Sequence, residues 1–133
     1  PETLINAAPE AWFRAHTSRE PKDEGFFDKN ALADYLAHVR QPDMIRGMCE
    51  DYRAAASIDL VDDRASRAAG RKVQCPLLVL WGAQGVVGRC FRPLEDWGRV
   101  AASASGRALP AGHYLPEEVP GLVADEFESF FGD

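Results

Sequence analysis

The sequence predicts an α/β architecture: a helical first half, then strand–helix–strand–helix. Three observations carry this. Residues 1–70 place apolar side chains at helical spacing between polar breakers. From Arg71 the pattern changes, and CPLLVLWG, an apolar run bounded by proline and glycine, suits a strand buried on both faces of a parallel sheet. A second short strand, GRALPAG, follows an amphipathic segment long enough for a parallel crossover. The chain is accordingly expected to divide into a helical region, 1–70, and a strand–helix portion, 71–133.

The elements follow in order. A first helix is expected from Ala8 to about Thr17, with Trp12 and Phe13 as its bulky residues. SREPKDEGFF, Ser18 to Phe27, has the breakers and charges of a loop. Asp28 is placed to cap a helix carrying Ala31, Leu32, Tyr35, Leu36 and Val39. Pro42 suits the first turn of the next helix, where its missing N–H is harmless, and Ile45, Met48 and Tyr52 share one face of it. A fourth helix is expected around Asp63 to Ala69, closed by Gly70. Pro93 opens a helix with Leu94, Trp97, Val100 and Ala101. The helix after Pro120 is expected to bury Leu122, Val123, Phe127, Phe130 and Phe131.

Two parallel strands do not make a covered parallel sheet, and helices this rich in aromatics need a wider one to pack on. The second half is therefore expected to be the C-terminal edge of a larger doubly wound domain. Pro1 is not an initiator methionine, and the chain is expected to be a piece of that domain.

Composition narrows the partners. With 133 residues, 46% hydrophobic and 27% charged, the chain has the make-up of a folded domain. Its net charge of -6, with scattered Lys and Arg, argues against nucleic acid or an anionic membrane surface as partner. No apolar run approaches the roughly 20 residues of a membrane helix, and the opening PETLINAAPE has no signal-peptide pattern. Cys49, Cys75 and Cys90 form no CxxC or Cys/His cluster, so reduced thiols, a cytoplasmic location and no metal site are expected.

His113 is the histidine placed for chemistry. It follows Gly112 at the end of the second strand, where open α/β sheets gather their ligands, and imidazole is a suitable base near neutral pH. His16 and His38 sit among charged neighbours on helices and read as solvated. By spacing alone Tyr52 is a core tyrosine. Cys49 reads as a small buried hydrophobe. The acids Asp59, Asp62 and Asp63 are favoured simply by the start of a helix.

Taken together, MCEDYRAAASIDL, LWGAQGVV and GHYLPEEVP resemble the haloacetate (fluoroacetate) dehalogenases of the α/β-hydrolase superfamily. The resemblance runs over the whole chain and implies the C-terminal part of an α/β-hydrolase fold: a helical cap, then two parallel strands with flanking helices. In that family an aspartate displaces halide to form an alkyl-enzyme ester, and a histidine activates the water that hydrolyses it. No cofactor is used. Carried onto this sequence, His113 matches the general base and Tyr52 the halide-binding tyrosine of the cap. The nucleophile, its elbow and the triad acid have no match. Many α/β hydrolases carry the acid as WGxxD, but this chain has Gly85 at that slot.

The implied substrate is a small 2-haloacid acted on by the intact enzyme, with the missing N-terminal half, or a second copy of the chain, as partner. An epoxide hydrolase is the alternative, with Tyr35 and Tyr52 protonating the epoxide, and a serine ester hydrolase is a third. A non-catalytic reading also stands: an association unit whose open strand edge makes the isolated chain dimerise or aggregate.

Overall fold

The computed structural model describes residues 1–17 and 25–132. The chain divides into two compact units, Pro1–Arg64 and Ala65–Asp133. Most of the loop expected over Ser18–Phe27 lies outside the described residues, and 25–27 form a turn and bend ahead of Asp28.

The first unit holds α1 (Glu2–Ala7), α2 (Pro9–Thr17), α3 (Lys29–Val39), α4 (Pro42–Ala55) and the start of α5 (Ile58–Ala68). Local chemistry fixes where α3 and α4 begin. The Asp28 carboxylate accepts from the backbone N–H groups of Asn30 at 2.8 Å and Ala31 at 3.1 Å, which α3 would otherwise leave unpaired. Pro42 occupies the first turn of α4. Ile45 and Cys49, one turn apart on α4, are buried against Ile5 of α1, with Trp12 and Met48 packed around them. Phe13, Phe27 and Tyr35 form a second apolar cluster between α2 and α3, their ring centroids 6.0–6.4 Å apart.

Two features of this unit differ from expectation. α1 precedes the first helix read from the sequence, because neither Pro1 nor any side chain caps it visibly. α5 begins at Ile58 rather than near Asp63, so Asp59 stands in its first turn and Asp62 and Asp63 lie inside it. As expected, a glycine follows α5 in left-handed conformation (Gly70, φ 65°).

In the second unit, β1 (Leu77–Gly82) pairs in parallel with β2 (Ala104–Leu109), in register from Leu77 opposite Ala104 to Gly82 opposite Leu109. The crossover runs through α6 (Val86–Cys90) and α7 (Pro93–Gly98), and β2 is followed by α8 (Leu115–Glu118) and α9 (Pro120–Phe131). Gly106 in β2 has φ +143°, and a side chain there would run into the Val79 carbonyl of β1. Only glycine lets the strands lie this close at that point.

β1 is half-buried along most of its length rather than buried on both faces, since it has one strand neighbour among the described residues. α7 ends at Gly98, before Val100 and Ala101, and Ala101 instead makes an isolated parallel bridge with Val73. On α9 Val123 is buried, but Phe127 and Phe131 are 49% and 74% exposed, against the expectation that both are covered. The i, i+4 row they share with Val123 drifts around the helix by about 40° per step, because the true repeat is about 3.6 residues. No described helix is long and apolar enough to cross a membrane.

Within the first unit, Arg53 joins α4 to α1. Its guanidinium pairs with Glu50 at 2.8 Å and with Glu2 at 2.5 Å. A hydrogen bond from its own backbone, and then the Arg53 guanidinium, hold the Glu2 carboxyl down from its usual 4.5 to about 2. A carboxyl with a lowered pKa in the fold adds stability above its ordinary pKa, and that stability is lost as pH falls through the folded value. The advantage of the native chain over Arg53→Gln is therefore expected to hold at neutral pH, shrink below about pH 4.5 and vanish near pH 2, read by the helical circular dichroism signal in denaturant titrations.

Candidate functional site

Both strands of the sheet point their C-terminal ends at one place. Backbone pairing continues beyond them, with Ala83 N–H donating to the Leu109 carbonyl at 2.9 Å and Gln84 N–H to the Ala111 carbonyl at 3.0 Å. These bonds stitch the loop leaving β1 to the loop that carries His113. Leu109 and Ala111 are buried beneath it.

The stitching needs glycine. A side chain on Gly82 would overlap the Gly112 carbonyl and come within 2.6 Å of the Ala111 carbonyl oxygen. At Gly85 a side chain would stand 2.7 Å from the same Gly112 oxygen. The backbone just before His113 thus rests on a shelf made by WGAQG. Gly85, at the WGxxD slot, is itself buried, and a β-carbon there would press on the histidine loop.

From the other side the loop is held by Glu118. Its carboxylate accepts from the Gly112 N–H at 2.5 Å and from the Tyr114 N–H at 2.9 Å. Tyr114 is the N-cap of α8 and offers no capping side chain, and Glu118 reaches back to the N-cap N–H as the acid of a capping box does. Hydrogen bonds from N–H groups to a charged acceptor contribute about 1.5–3 kcal/mol each, which is enough to order a loop. The sequence reading did not single out Glu118. The signal was present in the acid a few residues beyond Gly-His, but the capping pattern was masked by tyrosine at the position usually held by serine or threonine.

His113 itself projects from this frame. Its side chain is exposed, and the ring meets the Tyr114 ring edge-on at 5.0 Å with an interplanar angle of 85°. Among the described residues it takes part in no ion pair, and Glu118, a nearby acid, is engaged with backbone. Tyr52 lies in the last turn of α4 and is 73% exposed, so it is not the core tyrosine that spacing alone suggested. It belongs to the first unit and His113 to the second. Arg53 beside Tyr52 is committed to Glu2 and Glu50. Tyr35 is half-buried in its aromatic cluster. His16 stacks on Trp12 at 4.9 Å, and His38 leans on Asp34. No group of three or more potential metal ligands occurs among the described residues.

Parallel strands, a crossover, and a histidine on the loop after the last strand define the C-terminal part of an α/β-hydrolase fold. Comparisons with known proteins agree and give the relatives. A candidate α/β hydrolase from Nostoc sp PCC 7120 superposes with a TM-score of 0.92 at 43% identity, over 99% of this chain and 45% of its own. Fluoroacetate dehalogenase from Burkholderia sp is 31% identical over all of this chain and 43% of its own length. Soluble epoxide hydrolase from Corynebacterium sp. (strain C12) is 32% identical over 79% of this chain and 35% of its own. The chain therefore resembles the haloacetate dehalogenases within the α/β hydrolases, and it spans less than half the length of the relatives it matches. No protein-family model matches it.

The shelf makes a definite demand. Gly82→Ala is expected to lower stability by about 1–3 kcal/mol through overpacking and to displace the His113 loop. Thermal unfolding and the His113 ring resonances, followed together by NMR, test both effects.

Proposed function

We propose that the protein carrying this chain is a cytoplasmic hydrolase that cleaves the carbon–halogen bond of a small 2-haloacid, with His113 as general base and Tyr52 as a contact for the departing halide. The observation that carries this reading is the His113 loop: an exposed imidazole at the C-terminal ends of parallel strands, on backbone fixed from two sides. The similarity to fluoroacetate dehalogenase supports the choice of reaction.

In this reading an aspartate outside the residues of this chain attacks the carbon bearing the halogen. A C–O bond forms as the C–X bond breaks, and halide leaves with the bonding electrons. Water then adds to the ester carbonyl while His113 takes its proton. The tetrahedral adduct then collapses: the hydroxyacid leaves through its alkoxide oxygen, which takes that proton back from His113, and the regenerated aspartic acid loses water's second proton to solvent, restoring the carboxylate. His113 suits the second step because a neutral imidazole accepts a proton near pH 7. A phenol O–H such as that of Tyr52 can donate to the halide as its charge develops. Because nucleophile and orienting acid come from outside this chain, the chain alone is expected to release no halide.

An epoxide hydrolase is the second reading, favoured by the similarity to the Corynebacterium enzyme. It calls for two tyrosines acting on one oxygen. Tyr35 is packed among Phe13 and Phe27 while Tyr52 is exposed, which weighs against them as a matched pair.

The deciding assay offers the full-length protein fluoroacetate, chloroacetate and an epoxide, and follows halide and diol. Halide release is expected. His113→Ala is expected to cut turnover by about 10²–10⁴-fold while still forming the ester, seen as a mass increment on the protein. Tyr52→Phe is expected to slow halide release by about 10- to 100-fold, the loss of one hydrogen bond to a charged group. Diol formation without halide release would overturn the proposal.

A further inference from the structure

We propose that Glu118 is the positioning residue for His113, acting through the backbone on either side of it and not through the imidazole ring. The inference rests on the reading of His113 as a base, but its structural half stands apart from that reading.

The Gly112 N–H lies in the peptide unit joining residues 111 and 112, and the Tyr114 N–H in the unit joining 113 and 114. Glu118 binds the first at 2.5 Å and the second at 2.9 Å. One carboxylate therefore brackets Gly112 and His113 and fixes the backbone dihedrals that aim the imidazole. The Gly112 carbonyl is pressed at the same time onto Gly82 and Gly85. A side chain on Gly112 itself would stand 3.0–3.1 Å from the Glu118 oxygens, a tight contact that the carboxylate would have to shift by a few tenths of an ångström to relieve.

The chemistry selects glutamate. Both partners are donors, and an ionised carboxylate is acceptor-only with two oxygens to offer. Glutamine keeps one acceptor and turns a donor toward the other N–H. Alanine keeps none. Half-buried Glu118 sits at the end of α8, whose Glu117 and Glu118 N–H groups both return to the Tyr114 carbonyl at 2.9 Å. The carboxylate and the residues it holds are thus parts of one closed turn. A histidine in an exposed loop would otherwise sample many orientations, and a base misplaced by about 1 Å can lose about 10²-fold in rate.

The test uses the full-length protein with fluoroacetate, comparing Glu118→Ala, Glu118→Gln and the exposed control Asp125→Asn. Hydrolysis of the ester is expected to slow by about 10- to 100-fold in Glu118→Ala, with KM little changed and ester accumulating on the protein. Glu118→Gln is expected to fall between Glu118→Ala and native. Amide hydrogen exchange at Gly112 and Tyr114 is expected to quicken in both, while Asp125→Asn matches native throughout. A residue that merely stabilised the fold would lower the unfolding temperature without trapping ester. Native hydrolysis in Glu118→Ala, or unaltered exchange at the two amides, would overturn the proposal. If the native protein forms no ester at all, the dehalogenase reading fails. The exchange data on both Glu118 variants then decide alone whether the carboxylate holds the loop.

Discussion

The loop that carries His113 depends on how near one carbonyl can come to two α-carbons. The Gly112 oxygen lies against Gly82 and Gly85, and that contact sets the height of the loop above the ends of β1 and β2. Bonds from Ala83 and Gln84 then carry the parallel pairing past the strands and into that loop. Glu118 closes the arrangement from the opposite side. A buried backbone shelf is stiff because it contains no rotamers, so the imaging of a flexible loop on a rigid sheet gives way to one continuous scaffold ending at His113.

The first unit is held differently. Its packed centre is small, with Ile5, Ile45 and Cys49 at the middle, and ion pairs such as Glu2–Arg53 and Glu10–Arg40 tie one helix to another at the surface. Exposed pairs of this kind contribute little each. Ile58, Leu60 and Val61 of α5 are exposed, as is Tyr52 of α4. The second unit leaves large apolar side chains exposed as well, Phe91, Trp97 and Phe131 among them.

Much of this was legible in the sequence because it rested on local signals. Asp28 and Pro42 announced α3 and α4, and the Pro-to-Gly boundaries of CPLLVLWG announced β1. α6, reading VVGRC, hid behind β-branched residues and a glycine, and α8, reading LPEE, hid behind a proline. Periodicity correctly marked Ile45 as core but assigned Tyr52 to the same face, since spacing reports direction and not what lies opposite. Phe127 and Phe131 went astray because the i, i+4 row that they share with Val123 drifts around α9. His113 stood out as an imidazole at a strand end. Glu118 did not, because its role is to bind two backbone groups, and backbone groups leave no trace in a sequence.

The parallel register has a consequence for how the chain reaches this state. Residues paired between β1 and β2 lie more than two dozen positions apart, whereas α3 and α4 follow one another directly. Closing the crossover loses chain entropy before any strand hydrogen bond forms, so contacts local in sequence assemble sooner. The helical unit is thus expected to collapse first. The glycine shelf comes under the His113 loop only once β1 and β2 have paired, so the framing of that loop depends on the non-local contacts of the chain.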